Sequence, residues 1–256
     1  MALLQIEKMT HYFGGLRAVY NYSLSIDPGE VHGLIGPNGA GKTTIFNLIT
    51  GIYVPSEGQI LLDGENMVGL KPYQIASKGL GRTFQNLQLW RHMTVLEHVK
   101  MARYSKIGYG LAGAFFATAQ RHREEADIEA KALHLLKMMQ VDHLADQLVP
   151  NLPYGAQRRV EMARALAIEP KILFLDEPTA GMNPEELIQM MEIIRQVRAE
   201  LGLAIFLIEH RLKMVMELCE SIQTLVFGEV IAQGAPEEIQ NNPQVIEAYL
   251  GKETVE

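Results

Sequence analysis

The segment Gly36-Pro37-Asn38-Gly39-Ala40-Gly41-Lys42-Thr43 has the residue types and spacing of a phosphate-binding loop, Gly-x-x-x-x-Gly-Lys-Thr. Gly36, Gly39 and Gly41 lack a Cβ, so the backbone there can turn through positive φ and approach a polyphosphate closely. Successive N–H groups of such a loop point inward as an anion nest, and a following helix adds the positive end of its dipole. Lys42 would set a point charge against the β- and γ-phosphates of a nucleotide, and the Thr43 hydroxyl would ligate Mg²⁺. Pro37, Asn38, Ala40 and Thr44 complete the candidate nucleotide-binding set.

Two other polar groups could act on a bound triphosphate. Ile172-Leu173-Phe174-Leu175 is an apolar run of strand length ending in Asp176 and Glu177. Leu203 to Ile208 is another, ending in Glu209 and His210. A carboxylate at a buried strand end is costly unless it meets a cation. Mg²⁺ on the nucleotide supplies one, so Asp176 reads as a magnesium ligand, directly or through water. Glu177 reads as the group that accepts a proton from the attacking water or holds it in line.

These groups meet only if the chain brings several strand ends together. Val31 to Ile35 predicts a short buried strand before the loop, and Thr44 to Ile49 the opening of a helix after it. Strands that alternate with helices predict an α/β fold with a mainly parallel sheet, which binds ligands at the carboxyl ends of its strands. Further strands are predicted at Leu3 to Met9, Tyr22 to Ile26 and Gln59 to Asp63, with turns at Gly14-Gly15 and Asp63-Gly64. Gly81 to Gln85 reads as a strand-like piece with a polar end. Thr94 to Ala102 reads as a helix with Thr94 and Glu97 in a capping box. Arg121 to Gln140 has one apolar face at helical spacing. Asn151 to Gly155 reads as a loop, and Gln157 to Ile168 as a helix. Asn183 caps a further helix, with Pro184 at its first position and Glu186 three residues after the cap. Ser221 to Val226 and Val230 to Gln233 read as a hairpin, and Pro236 to Leu250 as a helical tail that frays from Lys252. The stretch from Tyr104 to Ala119 has no assignment. The expected organisation is a nucleotide-binding core with an antiparallel β subdomain (1–86 and 150–235), a helical subdomain (87–149), and a C-terminal helix and tail (236–256).

Composition narrows the function classes. With 256 residues, 48% hydrophobic and 21% charged, the chain is ordinary for a globular protein of one large domain. A net charge of −7 gives no global basic footprint, so no nucleic-acid partner is expected. The single cysteine, Cys219, excludes an internal disulfide framework and a thiolate metal cluster, and reads as a small core residue. No signal peptide is evident, and the longest apolar run, Gly108 to Ala119, is too short to span a bilayer. The expected place is inside the cell, or on a membrane through a partner.

At this point the chain resembles the nucleotide-binding subunits of ATP-binding-cassette (ABC) transporters. Gln85 sits where that family has its Q-loop glutamine, at the entry to the helical subdomain. Leu152-Pro153-Tyr154-Gly155-Ala156-Gln157-Arg158-Arg159 occupies the signature (LSGGQ) position, Ala180-Gly181-Met182-Asn183-Pro184 the D-loop, and His210 the switch position. Two departures stand out. Pro153, Tyr154 and Ala156 replace the usual Ser, Gly and Gln of the signature, and Asn183 replaces the D-loop Asp. Losing the Ser hydroxyl removes one expected γ-phosphate donor; backbone N–H groups at Gly155 and a helix N-terminus remain.

The resemblance implies a P-loop NTPase fold and an ATPase with ATP and Mg²⁺ as cofactors. It implies chemistry by Lys42, Gln85, Glu177 and His210, and metal ligation by Thr43, Gln85 and Asp176. Phe13, directly before Gly14-Gly15, would stack on adenine, and Tyr154, Gly155 and Gln157 would face nucleotide as well. Two such subunits would meet head to tail, each covering the γ-phosphate on the other's loop. Phe13-Gly14-Gly15-Leu16, Gly81-Arg82-Thr83-Phe84-Gln85-Asn86, the Tyr104 to Arg123 insertion and Ile246 to Gly251 are similar to the larger ATPase subunit of branched-chain amino acid importers. That family implies transmembrane permeases, an extracytoplasmic solute-binding protein acting indirectly, and a peripheral place on the cytoplasmic face of the inner membrane. Trp90 and Leu89 are candidate permease contacts. Urea or amide importers and lipopolysaccharide exporters share much of the pattern and are the alternative. A soluble ABC ATPase would carry two cassettes or a long coiled coil, and a P-loop kinase would not explain Leu152 to Arg159.

Overall fold

The computed structural model describes residues 2–104 and 119–250. In chain order, β1 (Leu4–Phe13) and β2 (Leu16–Ile26) form a hairpin, followed by β3 (Val31–Ile35) and α1 (Lys42–Ile49). Next come β4 (Glu57–Leu62), β5 (Glu65–Asn66), α2 (Pro72–Ser77) and β6 (Leu80–Arg82). Next, α3 (Val95–Arg103) and α4 (Ala119–Met138) precede α5 (Tyr154–Leu166). The remainder is β7 (Ile172–Asp176), α6 (Pro184–Leu201), β8 (Ala204–Ile208), α7 (Leu212–Leu218), β9 (Ser221–Val226), β10 (Glu229–Gly234), α8 (Pro236–Gln240) and α9 (Pro243–Leu250).

The strands make two sheets. One is antiparallel in the order β2-β1-β4-β5; the other runs β10-β9-β3-β8-β7-β6 and is parallel except for β10 at its edge. β3, β7 and β8 are buried at every residue, which explains their unbroken apolar runs. Their side chains still alternate between faces. Ile172 and Phe174 of β7 and Ala204, Phe206 and Ile208 of β8 join the core toward the antiparallel sheet. Leu173, Leu175, Ile205 and Leu207 join the core under α4, α5 and α6. Phe46 of α1 meets Phe174 at 4.7 Å and Phe206 at 4.9 Å between ring centres, pinning the helix behind the phosphate loop to the sheet. Truncating such a buried ring to alanine costs about 3–5 kcal/mol. Gly33 lies mid-strand because a Cβ there would stand 2.9 Å from Cys219 Sγ. Cys219 is buried, as its apolar setting predicts, and burial pushes its thiol pKa up.

Several boundaries follow from local chemistry. Thr94 Oγ1 accepts from Glu97 N–H while Glu97 returns the bond to Thr94 N–H, the predicted capping box. Asn183 caps α6 in the same way, accepting from Glu185 and Glu186 N–H. Other boundaries move. β2 begins at Leu16 because Leu16 pairs with Phe13 across the tight turn. α2 was not anticipated; its start is held by Gln74 Oε1, which accepts from Lys71 N–H at 2.9 Å. α5 begins at Tyr154, with Gln157 N–H on Pro153 O, so Tyr154 and Gly155 are in the first helical turn and not in a loop. The predicted tail helix is two helices. Pro243 disfavours helix at Asn242, whose Oδ1 then caps α9 by accepting from Gln244 N–H at 2.9 Å. The unassigned segment and its apolar run, most of the Tyr104 to Arg123 insertion, and the fraying tail lie outside the described residues.

Candidate nucleotide site

The order β3-β8-β7 sets three carboxyl strand ends side by side: Ile35 before the phosphate loop, Ile208 before Glu209-His210, and the Asp176-Glu177 end of β7. Together they frame a chamber of about 280 Å³. Asn38, Gly39, Ala40, Gly41, Lys42, Thr43 and Thr44 form its floor, and Gln85, Glu177 and His210 face them. Gly36 and Gly41 have φ of 149° and 106°, and a Cβ on Gly36 would stand 2.1 Å from Leu225 O. Gly39, at φ 80°, has open space around it. The loop is braced from outside by Gly228 N–H, which donates to Ala40 O at 2.8 Å. The Lys42 ammonium donates to Gly36 O at 2.6 Å and Pro37 O at 3.1 Å, so the loop's own carbonyls orient it.

Glu177 is bracketed by two groups from different parts of the chain. Its Oε1 lies 2.6 Å from His210 Nε2, and its Oε2 accepts from Gln85 Nε2 at 3.3 Å. Its backbone is in the left-handed region at φ 50°, uncommon for a residue with a Cβ, and Glu177 N–H donates to Ile208 O. A carboxylate so held, facing a phosphate loop, can orient a water and take its proton.

Asp176 sits behind this pair, 1% exposed. The cation it meets is Arg82, whose Nη2 lies 3.1 Å from Oδ2 while Nη1 donates to Asn47 Oδ1 and Thr50 Oγ1 at the end of α1. Burial pushes the Asp176 carboxyl up from the ordinary carboxylate range, and Arg82 pulls it back. Asp176 Oδ1 is buried without a hydrogen-bond partner, an acceptor suited to a hydrated cation. Among the described residues no group of three or more His, Cys, Asp and Glu could hold a metal alone, so a cation here would arrive with phosphate oxygens.

The signature and D-loop segments adjoin each other away from the chamber. A Cβ on Gly181 would stand 3.3 Å from the Tyr154 ring, and one on Gly155 2.8 Å from Glu186 Oε1. Tyr154, Gly155 and Gln157 do not line the chamber; Gln157 Nε2 donates to Leu152 O at 2.9 Å. Phe13 is exposed at the end of β1, edge-on to His11 and Tyr53. Trp90 is exposed, stacked on His98, whereas Leu89 packs against the core.

Four residues were missed as site residues. Arg82 is one. Arg158 is another: it donates to Phe84 O at 2.6 Å, to Gln85 O, to Tyr154 Oη at 3.0 Å and to the buried Glu161. The signature helix thus grips the backbone of the Q-loop. Glu209 and Thr179 are the others, joined by a hydrogen bond between the loops that follow β7 and β8. Only the buried position of Glu209 at a strand end hinted at its part.

The ABC transporter family pattern matches residues 19–180, more than half of the chain. The chain belongs to the ABC transporter family. Accordingly it is an ATPase with a P-loop α/β fold. A second pattern, of branched-chain amino acid ATP-binding cassette transporters, matches residues 229–255. This cassette is 41% identical over 250 residues to the high-affinity branched-chain amino acid transport ATP-binding protein BraF of Pseudomonas aeruginosa, covering 98% of each chain. It is 42% identical to LivG of Escherichia coli, of the same description, again over 98% of each. The lipopolysaccharide export system ATP-binding protein LptB of Haemophilus influenzae is 34% identical over 99% of each chain. Among solved structures, the ADP conformation of MJ1267, an ABC transporter cassette, superposes with a TM-score of 0.84 at 31% identity, covering 98% of this chain and 99% of that one. The dimeric post-hydrolysis state of the cassette MJ0796, bound to ADP and Pi, gives 0.77 at 26% identity over 91% and 98%.

Proposed function

We propose that this cassette is the ATPase subunit of an importer of branched-chain amino acids. The observation that carries the chemistry is the Glu177 carboxylate held between His210 Nε2 and Gln85 Nε2 opposite the phosphate loop. Lys42 neutralises the β- and γ-phosphates, with the loop N–H groups of Gly36 to Thr44 around them. Glu177 aligns a water with the γ-phosphorus and takes its proton, while His210 holds the carboxylate and the departing phosphate in place. Mg²⁺, held by Thr43, Gln85 and Asp176, would neutralise charge that develops on the phosphates. Phe13 offers a stacking face to adenine.

Tyr154, Gly155 and Gln157 lie outside the chamber, which supports a head-to-tail arrangement in which they face nucleotide on a second ATPase subunit. An apolar groove of about 540 Å³ between the core and the helical block, lined by Ile52, Tyr73, Phe84, Trp90 and Met101 among others, suits a permease helix. Arg82 and Phe84 join that groove to the Q-loop. Among the described residues no helix is long and apolar enough to cross a membrane. From its likeness to the transport subunits BraF and LivG we place the subunit peripherally on the cytoplasmic face, with permeases in the bilayer and a solute-binding protein beyond them. The substrate reading rests on the relatives BraF and LivG and on the matching segment 229–255.

Two experiments test this. Glu177→Gln should bind ATP and trap a closed dimer with little turnover; normal turnover would remove the general base from the mechanism. Copurified membrane partners, reconstituted in vesicles with candidate binding proteins, should carry leucine, isoleucine or valine in an ATP-dependent way. Transport of urea or short amides instead, or partners that extract lipopolysaccharide, would refute the substrate.

A further inference from the structure

Glu209 ends β8 one residue before His210, and no step described above uses it. Its side chain is 3% exposed, a depth at which an ionised carboxylate is costly unless its lone pairs are filled. Four neutral donors fill them. Oε1 accepts from Thr179 N–H at 3.1 Å and from the Thr179 hydroxyl. Oε2 accepts from His210 N–H at 2.9 Å and from Arg211 N–H at 3.1 Å. One oxygen therefore holds the loop leaving β7, two residues beyond Glu177, and the other holds the loop leaving β8, which carries His210. Arg211 extends the link by donating from Nη2 to Met182 O in the D-loop at 2.8 Å.

We propose that Glu209 is a positioning residue for hydrolysis, a two-sided acceptor that holds the two loops at the spacing that keeps His210 on Glu177. Its identity matters for a simple reason. A carboxylate has two oxygens, each able to take two hydrogen bonds, so it serves both loops at once. An amide has one oxygen, and its NH₂ would face two backbone N–H donors or the Thr179 pair. Glutamine is thus nearly isosteric at this position and still breaks one side of the clamp. The same geometry ties the D-loop to the reacting pair, because Arg211 is anchored at its backbone by Glu209 and at its guanidinium by Met182 O.

The inference rests on the reading of Glu177 as the group that acts on water, and the test separates the two. ATP affinity, turnover at saturating ATP and thermal stability are measured on the purified cassette, at protein concentrations where turnover per subunit no longer rises, for Glu209→Gln, Thr179→Val, Thr179→Ser and Glu177→Gln. Glu209→Gln should lower turnover at least tenfold while ATP affinity stays within about twofold. Thr179→Val should slow turnover several-fold, and Thr179→Ser, which keeps the hydroxyl, should restore it. If Glu209→Gln turns over within twofold of the parent, or if turnover, affinity and melting temperature all fall together, the positioning role is overturned. Should Glu209→Gln fail to fold, the Thr179 pair decides: equal turnover for Val and Ser overturns the clamp. Normal turnover of Glu177→Gln would instead overturn the reading beneath it, whereas a dead Glu177→Gln beside a normal Glu209→Gln rejects the clamp alone.

Discussion

Arg158→Met should destabilise the cassette strongly, and neutralising Glu161 as well should give part of that stability back. Arg158 and Glu161 lie in α5 as a buried pair 3.1 Å apart, both almost wholly inaccessible. Burial raises the Glu161 carboxyl pKa, and Arg158 is the foremost group that counters it. Removing one partner of a buried pair leaves an uncompensated charge, about 3–5 kcal/mol. At roughly 2–4 °C per kcal/mol for a chain of this size, the melting temperature should drop by roughly 6–20 °C. Methionine keeps much of the stem volume, so the loss is electrostatic more than steric. In Arg158→Met/Glu161→Gln the buried charge is gone, and the amide oxygen introduced in place of the carboxylate can still accept from Phe84 N–H, which donates to Glu161 Oε1 at 3.3 Å in the parent. The residual cost is then that of the lost hydrogen bonds to Phe84 O, Gln85 O and Tyr154 Oη, about 0.5–1.5 kcal/mol each. Urea titrations of the parent, both single variants and the double variant give the cycle. The expected sign is diagnostic, since the second substitution stabilises. If it adds to the loss, or if Arg158→Met costs less than about 1 kcal/mol, the pair is not the source of stability argued here.

Two further outcomes are expected. Gly39→Ala meets no protein atom and pays only for its left-handed backbone, about 1–2 kcal/mol, whereas Gly36→Ala puts a Cβ 2.1 Å from Leu225 O and must displace the loop or β9; in the nucleotide-free protein the melting temperature should fall much further for Gly36→Ala, and equal losses would contradict the loop geometry. His98 is buried, its Nε2 accepts from Trp90 N–H at 2.7 Å, and burial lowers its pKa. The unfolded chain therefore takes up this proton first, so stability is full above the unfolded value of about 6.5 and declines as pH falls below it toward the lower folded pKa. Urea midpoints from pH 8 to 5.5 should fall more steeply for the parent than for His98→Gln, and parallel slopes would count against the argument.

The phosphate loop and the three strand ends were legible because their requirements are local. Glycine spacing, an apolar run and a terminal carboxylate each constrain a handful of adjacent residues. The same locality explains the capping boxes at Thr94 and Asn183. What was not legible depends on side chains that reach across the fold. Arg158 grips a backbone 73 positions away, and Arg82 meets Asp176 from 94 positions away. Nothing in either sequence neighbourhood announces the partner. A carboxylate buried at a strand end calls for a cation, and Arg82 supplies one to Asp176 from within the chain. The break in the tail follows from Asn242-Pro243, since proline disfavours helix at the residue before it. Asn151 to Gly155 reads as a loop in the sequence, yet Tyr154 and Gly155 open α5. Proline at a helix N-cap is compatible with a helix that starts at the next residue, and that is what forms.

Glu177 occupies a backbone conformation that glycine or asparagine would adopt with less strain. On the proposed role of Glu177, folding and chemistry make opposite demands on this one position. A population of variants kept only for thermal robustness would drift away from glutamate here, and one kept for turnover would be driven back to it.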